Sequence, residues 1–176
     1  MSKVVLYIAA SLDGYIARKN DDISWLDPFQ DGTEDYGFAT FSKSIGATIM
    51  GARTYRQALL FPDRILKGVK NYVVSGEDLA RVPGADIEFY HGDLKKLVSS
   101  VKNTVSKDIW LVGGGQLVSS FLNEGLIDEA QHFVAPILLK EGIPLYSGLK
   151  NEINLNLVET QTYRSGIVKL QYILPV

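Results

Sequence analysis

The strongest local signal in this chain is the stretch Leu111-Val112-Gly113-Gly114-Gly115-Gln116-Leu117. Its three glycines separate an apolar segment, typical of a buried strand, from residues 116–123, which have the spacing of an amphipathic helix. Glycine lets a backbone approach a ligand closely, and a helix that begins here would offer free N–H groups to a pyrophosphate. The stretch therefore predicts a strand, a glycine turn and a helix. The turn is either a nucleotide cradle or simply a tight connection, and it is not the dinucleotide fingerprint G-x-G-x-x-G, whose third glycine position holds Val118.

Short apolar segments and amphipathic segments alternate on both sides of this turn. Because parallel strands need a crossover of about a dozen residues, the alternation predicts a mostly parallel central sheet with helices on both faces. The last two strands are joined by residues 164–166 alone, which predicts an antiparallel hairpin. We expect one α/β domain over residues 1–176. Strands are predicted at residues 3–10, 47–50, 71–75, 86–90, 108–112, 127–136, 155–163 and 167–174, and helices at 34–44, 52–60, 94–102 (with Asp93 as N-cap) and 116–123 (closed by Gly125).

A second glycine turn, Met50-Gly51-Ala52-Arg53-Thr54-Tyr55, also stands between a predicted strand and a predicted helix. Arg53 supplies a guanidinium and Thr54 a hydroxyl, a pairing suited to a phosphate. Alternatively, Arg53 is a solvated surface arginine and Thr54 caps the helix. Both turns are predicted at the carboxyl ends of strands, where open α/β sheets bind ligands.

A third segment, Ala9-Ala10-Ser11-Leu12-Asp13-Gly14-Tyr15-Ile16-Ala17, places small residues at the end of the first predicted strand and leaves room for a flat ring. A polar segment, residues 18–24, follows it and ends at Trp25. This tryptophan either lines a substrate pocket or belongs to the core.

The acidic pair Glu34-Asp35 opens the first predicted helix. Acidic residues in a first turn commonly interact with the helix dipole. A carboxylate that faces an apolar cleft would instead have a raised pKa and could relay a proton to a substrate nitrogen. The residues alone leave both interpretations open.

Composition and charge argue against several classes of function. The 176 residues are 46% hydrophobic and 22% charged, as in an ordinary globular protein. A formal net charge of −2 predicts no chain-wide attraction to nucleic acid or to an anionic membrane. The chain has no cysteine, which removes thiolate chemistry and fits a reducing cytoplasm.

Neither a membrane span nor a metal site is predicted. The apolar run at residues 4–10 is too short to cross a bilayer and lacks a plausible signal cleavage site, so we interpret it as a buried strand. His91 and His132 are far apart and belong to no metal-binding pattern.

Taken in this order, the four segments resemble the dihydrofolate reductase superfamily from about residue 3 to the C-terminal hairpin. Residues 11–17, 111–115, 121–129 and 135–138 are most similar to the reductase domain of the bifunctional riboflavin deaminase-reductase. Trp25, Asp35 and residues 49–54 are similar to dihydrofolate reductase itself. Two departures stand out: Ala52 follows Gly51 where dihydrofolate reductases usually carry arginine, and residues 55–60 lack the Asp, Pro and Arg pattern of the riboflavin-pathway domain.

The resemblance implies a three-layer dihydrofolate reductase-like fold and NADPH as cofactor. It implies that Asp35 and Trp25 act at the catalytic site, and that the backbone near Ala9 and Ile16 holds the nicotinamide carboxamide. The adenosine phosphates would lie against residues 51–54 and Ser75, and the pyrophosphate against Gly113 to Leu117. The implied cofactor-binding residues are Ala9, Ile16, Gly51, Arg53, Thr54, Ser75, Val112, Gly113, Gly114, Gly115, Gln116 and Leu117.

The function implied is an NADPH-dependent reductase of riboflavin biosynthesis. It would act on a pyrimidine ribosylamine like 5-amino-6-(5-phosphoribosylamino)uracil, or on a related small heterocycle. Two alternatives stay open, namely dihydrofolate reductase activity on a pterin and a protein that binds a nucleotide or pterin without reducing it. The resemblance, together with apolar residues in the C-terminal strands, also implies a homodimer, and the lack of cysteine favours the cytoplasm.

Overall fold

A computed structural model describes residues 2–61 and 65–175. Among these residues, no helix combines the length and apolar character that a membrane crossing requires. The strands are β1 Val4–Ser11, β2 Tyr15–Ala17, β3 Ile45–Gly51, β4 Lys70–Val74, β5 Asp86–Tyr90, β6 Asp108–Gly113, β7 Glu129–Ala135, β8 Ile143–Pro144, β9 Asn156–Thr162 and β10 Val168–Ile173. The helices are α1 Phe38–Ser44, α2 Ala52–Leu60, α3 Leu94–Thr104 and α4 Gly115–Asn123, with a 3-10 helix at Ser24–Phe29.

Eight of these strands form the central sheet, in the order β5-β4-β3-β6-β1-β7-β10-β9. Every neighbouring pair from β5 to β7 is parallel, whereas β10 runs antiparallel to both β7 and β9. The prediction of a mostly parallel sheet that finishes in an antiparallel hairpin is confirmed. The hairpin turn closes where Tyr163 N–H donates to the Ile167 carbonyl over 2.9 Å.

Strand β1 has helices on both faces because it is apolar at nearly every position. Val4 and Leu6 pack into the cluster formed with α3 and α4. Val5, which points to the opposite face, packs against Phe41 of α1. The predicted arrangement of helices on both faces is thereby confirmed.

Helix α1 begins four residues later than predicted, at Phe38 rather than at residue 34. Tyr36 and Gly37 both have positive φ, 55° and 81°, so the chain turns sharply before the helix can start. The Asp35 carboxylate accepts hydrogen bonds from the N–H groups of Gly37 (2.9 Å) and Ala39 (3.1 Å). This aspartate therefore caps the helix from outside it.

The other predicted helices agree closely with the structure. Asp93 is the N-cap of α3, and its side chain accepts from Lys96 N over 2.9 Å, as predicted. Helix α4 begins at Gly115, one residue before the predicted start.

At the far edge of the sheet, β9 is exposed at all seven of its residues, including Leu157 and Val158.

Candidate active site

The two glycine turns lie side by side at one edge of the sheet. Strands β3 and β6 are parallel neighbours, with Met50 opposite Gly113, so both turns follow carboxyl ends at the same rim. A Cβ placed on Gly51 would lie 3.8 Å from the Gly113 carbonyl oxygen, and one placed on Gly114 would lie 3.2 Å from Thr54 Oγ1. The fold thus brings together two turns that are distant in the sequence.

A cleft of about 1500 Å³ runs along this rim. It is larger than the ~300–1000 Å³ that ordinary small-molecule pockets occupy, so it offers space for more than one small ligand. Nearly all of the residues that sequence resemblance assigned to the cofactor lie on its walls. These are Ala9, Ile16, Gly51, Arg53, Thr54, Ser75, Val112, Gly114, Gly115, Gln116 and Leu117.

Gly113 is the exception, because it is not among the residues that line the cleft. Its φ is +120°, which few side-chain-bearing residues adopt, and a Cβ on it would lie 3.2 Å from Ile8 Cδ1. Its peptide bond to Gly114 is cis. The position requires glycine for the path of the backbone, and Gly114 is the residue that faces the cleft.

Two helices begin at the cleft with their first N–H groups uncapped. Gly51 is the N-cap of α2 and Gly114 the N-cap of α4, and neither helix receives a side-chain capping bond from the described part of the chain. Both helices are nine residues long. Free N–H groups and the positive end of a helix dipole favour anions, so the paired helix starts fit the pyrophosphate of a dinucleotide.

Gly115 is required by the packing of the backbone, whereas Gly114 faces the cleft. A Cβ on Gly115 would lie 2.2 Å from the Pro144 carbonyl oxygen, a separation that no side chain can accept. The segment that contains β8 crosses the start of α4 here and is fixed by Leu145 N–H, which donates to the Gly14 carbonyl over 2.9 Å. The 111–117 stretch therefore combines a tight connection with a surface that is open to a ligand.

Two arginines of α2 line the cleft. Arg53, in the first turn of α2, pairs with Asp21 and donates from Nη2 to the Lys19 carbonyl at 3.4 Å. Arg56, one turn further along α2, also lines the cleft and pairs with Glu77. Sequence reasoning missed Arg56, although its spacing from Arg53 places the two on one helix face.

Ser75 lies at the end of β4, where it is largely buried. Its hydroxyl donates to the Glu77 carbonyl over 2.6 Å and accepts from Glu77 N–H over 3.1 Å. These two bonds fix the turn that carries Glu77. Ser75 thus shapes this end of the cleft besides lining it.

An aromatic surface that sequence reasoning also missed forms another part of the cleft. Tyr7, Phe38 and Trp110 all line it. The Phe38 ring centroid lies 5.9 Å from that of Tyr7 and 5.6 Å from that of Trp110. Trp110 Nε1 donates to the Tyr7 carbonyl over 3.1 Å, which fixes the indole. Such rings offer a flat substrate an apolar stacking surface.

Trp25 and Asp35 are not among the residues that line the cleft. Trp25 is buried against Phe133 and Ile167, and its Nε1 has no hydrogen-bond partner among the described residues. Of the two interpretations that the sequence left open for Trp25, membership of the core is the one the packing supports.

The expectation of a raised pKa for Asp35 is wrong. Hydrogen bonds from the N–H groups of Gly37 and Ala39 hold the pKa of this carboxyl below its usual range. Burial raises the pKa of Tyr7 well above its usual range, and the nearby Tyr163 and the charge of the exposed Asp35 add to the effect. Asp35 is therefore a charged neighbour of the aromatic surface.

Residues 64–169 match the family model of the RibD C-terminal domain. The chain belongs to the RibD C-terminal domain family. It is 34% identical to the protein YwjB of Bacillus subtilis over 172 residues, which cover 97% of each chain. It is 28% identical to the riboflavin biosynthesis protein RibD of Corynebacterium ammoniagenes, over 84% of this chain and 48% of that protein.

A crystal structure from Shewanella sp. PV-4, provisionally assigned to riboflavin biosynthesis, superposes with a TM-score of 0.87. Its sequence is 25% identical, and the match covers 99% of both chains. The resemblance to the reductase domain of the riboflavin pathway is thus confirmed for family and for fold. The chain corresponds to about half of RibD, the part that the family model names as C-terminal.

Proposed function

We propose that the protein is an NADPH-dependent reductase of riboflavin biosynthesis that transfers hydride to a C=N bond of a flat heterocycle or of a ribosylamine in its imine form. The favoured substrate is a pyrimidine ribosylamine like 5-amino-6-(5-phosphoribosylamino)uracil. One observation carries the proposal: the uncapped starts of α2 and α4 meet at Gly51 and Gly114 on one cleft, which suits a pyrophosphate.

The length of the cleft supports a dinucleotide rather than a mononucleotide. It extends from Ala9 of β1, past the glycine turns after β6 and β3, to Ser75 beyond β4. These four strands are adjacent in the sheet, so the cleft spans three inter-strand spacings, or about 14 Å. With the pyrophosphate at the glycine turns, one nucleoside would lie near β1 and the other near β4.

The nicotinamide would lie near Ala9 and Ile16, beside the aromatic surface. A reduced nicotinamide supplies the hydride when it is bound. The chain would hold donor and acceptor carbons at roughly 3–3.5 Å, a separation at which transfer becomes effectively unimolecular. Phe38 and Trp110 would orient the acceptor ring, and the apolar wall they form would exclude water from it.

For Asp35 we propose an electrostatic role at this end of the cleft. Its carboxyl has a lowered pKa and is ionised at neutral pH, so it has no proton of its own to give. An ionised carboxylate can still orient the substrate and stabilise positive charge on a nitrogen that takes its proton from water. For Trp25 we propose an indirect, structural role, because it packs against residues of β7 and does not line the cleft.

Two alternatives each have an observation in their favour. The aromatic surface made by Tyr7, Phe38 and Trp110 suits a bicyclic pterin, which would make the protein a dihydrofolate reductase. A binding protein without turnover is favoured by the scarcity of acid groups on the cleft. Among the described residues that line it, Asp21 is the only carboxylate, and Asp21 is paired with Arg53.

The test has two parts. A titration with NADPH is monitored by tryptophan fluorescence, and NADPH oxidation is then measured with each candidate substrate. Oxidation with the ribosylaminopyrimidine is the expected result, and oxidation with dihydrofolate alone would favour the pterin. Binding without oxidation on either would favour the non-catalytic alternative. A protein that binds no nicotinamide dinucleotide would refute the proposal.

We also propose that the protein acts in the cytoplasm as a homodimer. The cysteine-free chain fits a reducing compartment. The exposed Leu155, Leu157 and Val158 beside and within the edge strand β9 offer an apolar surface to a second copy. Sedimentation equilibrium would measure the mass in solution, and a monomer at micromolar concentration would contradict the dimer.

A further inference from the structure

We propose that Arg56 and Glu77 read the 2' position of the adenosine ribose and so decide between NADPH and NADH. Arg56 would bind a 2'-phosphate, and Glu77 would accept a hydrogen bond from a free 2'-hydroxyl. This inference rests on the proposed function, because it assumes a nicotinamide dinucleotide in the cleft. It adds a residue pair that neither sequence resemblance nor the family assignment points to.

The position of the pair in the sheet is the first argument. If the nicotinamide lies near β1 and the pyrophosphate at the turns after β3 and β6, the adenosine must lie past the end of β4. Ser75 and Gly76 line the cleft there, directly before Glu77. Arg56 reaches the same place from α2 and forms an ion pair with Glu77. The pair therefore borders the adenosine end.

Arg53 is the other arginine of α2 that could bind the 2'-phosphate, but its contacts are with a different segment of the chain. Its guanidinium pairs with Asp21 and contacts the Lys19 carbonyl, both on the segment that follows β2. Strand β2 contacts β1, where the nicotinamide would lie. The contacts of Arg53 are thus with the segment that follows β2, and those of Arg56 are at the adenosine end, although both extend from the same helix.

The free energies involved favour a change of partner, in which Arg56 leaves the Glu77 carboxylate and binds a phosphate. The side chains of Arg56 and Glu77 are 52% and 64% exposed. Exposed ion pairs contribute only ~0–1 kcal/mol, so opening this one costs little. A phosphate monoester has a charge near −2, whereas a carboxylate has a single negative charge, and the phosphate also accepts the paired hydrogen bonds of a guanidinium.

Glu77 gives the pair its selectivity. The Ser75 hydroxyl bonds to both the N–H and the carbonyl of Glu77, so the backbone of this residue is fixed beside the cleft. The Glu77 carboxylate, carried on this backbone, would accept a hydrogen bond from a ribose hydroxyl and would repel a phosphate at the same position. Removal of its charge should therefore strengthen binding of the phosphorylated cofactor alone.

Calorimetric titration with NADP⁺ and NAD⁺ tests the inference without any turnover. We expect Arg56→Gln to weaken NADP⁺ binding by about tenfold or more, the value of one charge-assisted hydrogen bond, and to change NAD⁺ binding by less than about twofold. Glu77→Gln should strengthen NADP⁺ binding and weaken NAD⁺ binding. The matched control is Arg53→Gln, which should change both affinities by the same factor.

The outcomes separate this inference from the proposed function. If the unaltered protein binds both dinucleotides and Arg56→Gln weakens both equally, or neither, the inference fails and the proposed function stands. If the unaltered protein binds neither dinucleotide, both fail together. Arg56→Lys adds a check on geometry, because it keeps the charge and loses the paired donors, and it should fall between the unaltered protein and Arg56→Gln.

Discussion

The α-carbon of Gly115 lies so close to the Pro144 carbonyl oxygen that a Cβ would be only 2.2 Å from that oxygen. The contact joins the first turn of α4 to the segment that contains β8. Since α4 begins at the cleft, the same contact sets where its free N–H groups point. Packing and ligand binding therefore depend on one backbone approach.

Gly115→Ala should destabilise the protein, because the added methyl group must push β8 away from α4. An overpacked contact of this kind costs about 1–3 kcal/mol in the free energy of unfolding, measurable by urea denaturation. Gly76→Ala is the matched control, since a Cβ there meets nothing within 4 Å. Equal stability of the two variants would show that the contact is not tight.

Phe38→Ala should weaken substrate binding more than it slows the chemical step. Phe38 is 38% exposed, and its ring packs at a tilt against Tyr7 and edge-on against Trp110 on the cleft wall. Loss of one aromatic contact is worth about 0.5–1.5 kcal/mol, or roughly a two- to tenfold rise in KM. Leu60→Ala, at a residue outside the cleft that is 74% exposed, is the control. A KM that does not change would place the substrate elsewhere.

Asp35→Asn should lower kcat by about tenfold or more while leaving the dissociation constant of NADP⁺ within about twofold, if the Asp35 charge assists the reaction. Asparagine keeps an oxygen that can accept from Gly37 and Ala39, so the start of α1 should survive. Steady-state kinetics and a thermal melt measure both effects. Unchanged turnover would leave Asp35 with the capping role alone.

Acid should destabilise the protein between pH 6.5 and 4 through His132. Burial lowers the pKa of His132 from 6.5 to about 4, and its Nε2 has no hydrogen-bond partner among the described residues. Between these two values the unfolded chain binds a proton that the folded chain does not. The full stability is therefore present above pH 6.5 and is lost as the pH falls towards 4, by up to about 3 kcal/mol.

His132→Phe should remove this part of the pH dependence in urea titrations, because phenylalanine binds no proton. His91→Gln, at an exposed position, should leave the dependence in place. If the slope between pH 6.5 and 4 is the same in both variants, His132 is not its source.

The sequence allowed the sheet and the two glycine turns to be predicted because these are local signals. Apolar runs mark the strands, and a glycine between a strand and a helix marks a turn wherever the chain carries it. The hairpin after residue 163 could be predicted for the same reason, since the length of its turn determines its geometry.

The state of Asp35 and the aromatic surface could not be predicted, because each depends on neighbours distant in the sequence. Two left-handed residues, Tyr36 and Gly37, move the start of α1 and make Asp35 a cap with a lowered pKa. Tyr7 and Trp110 come together only through the pairing of β1 with β6. Arg56 belongs to no motif; its spacing puts it on one helix face with Arg53, but only the fold shows that this face borders the cleft.

Gly51 and Gly114 are neighbours only while β3 and β6 are paired. The unfolded chain therefore has no binding site, and any molecule that uses both helix starts must favour the native state. A ligand at a hundred times its dissociation constant would add about 2.7 kcal/mol to the free energy of unfolding. The melting temperature can consequently rank metabolites as ligands before anyone has an assay for the reaction.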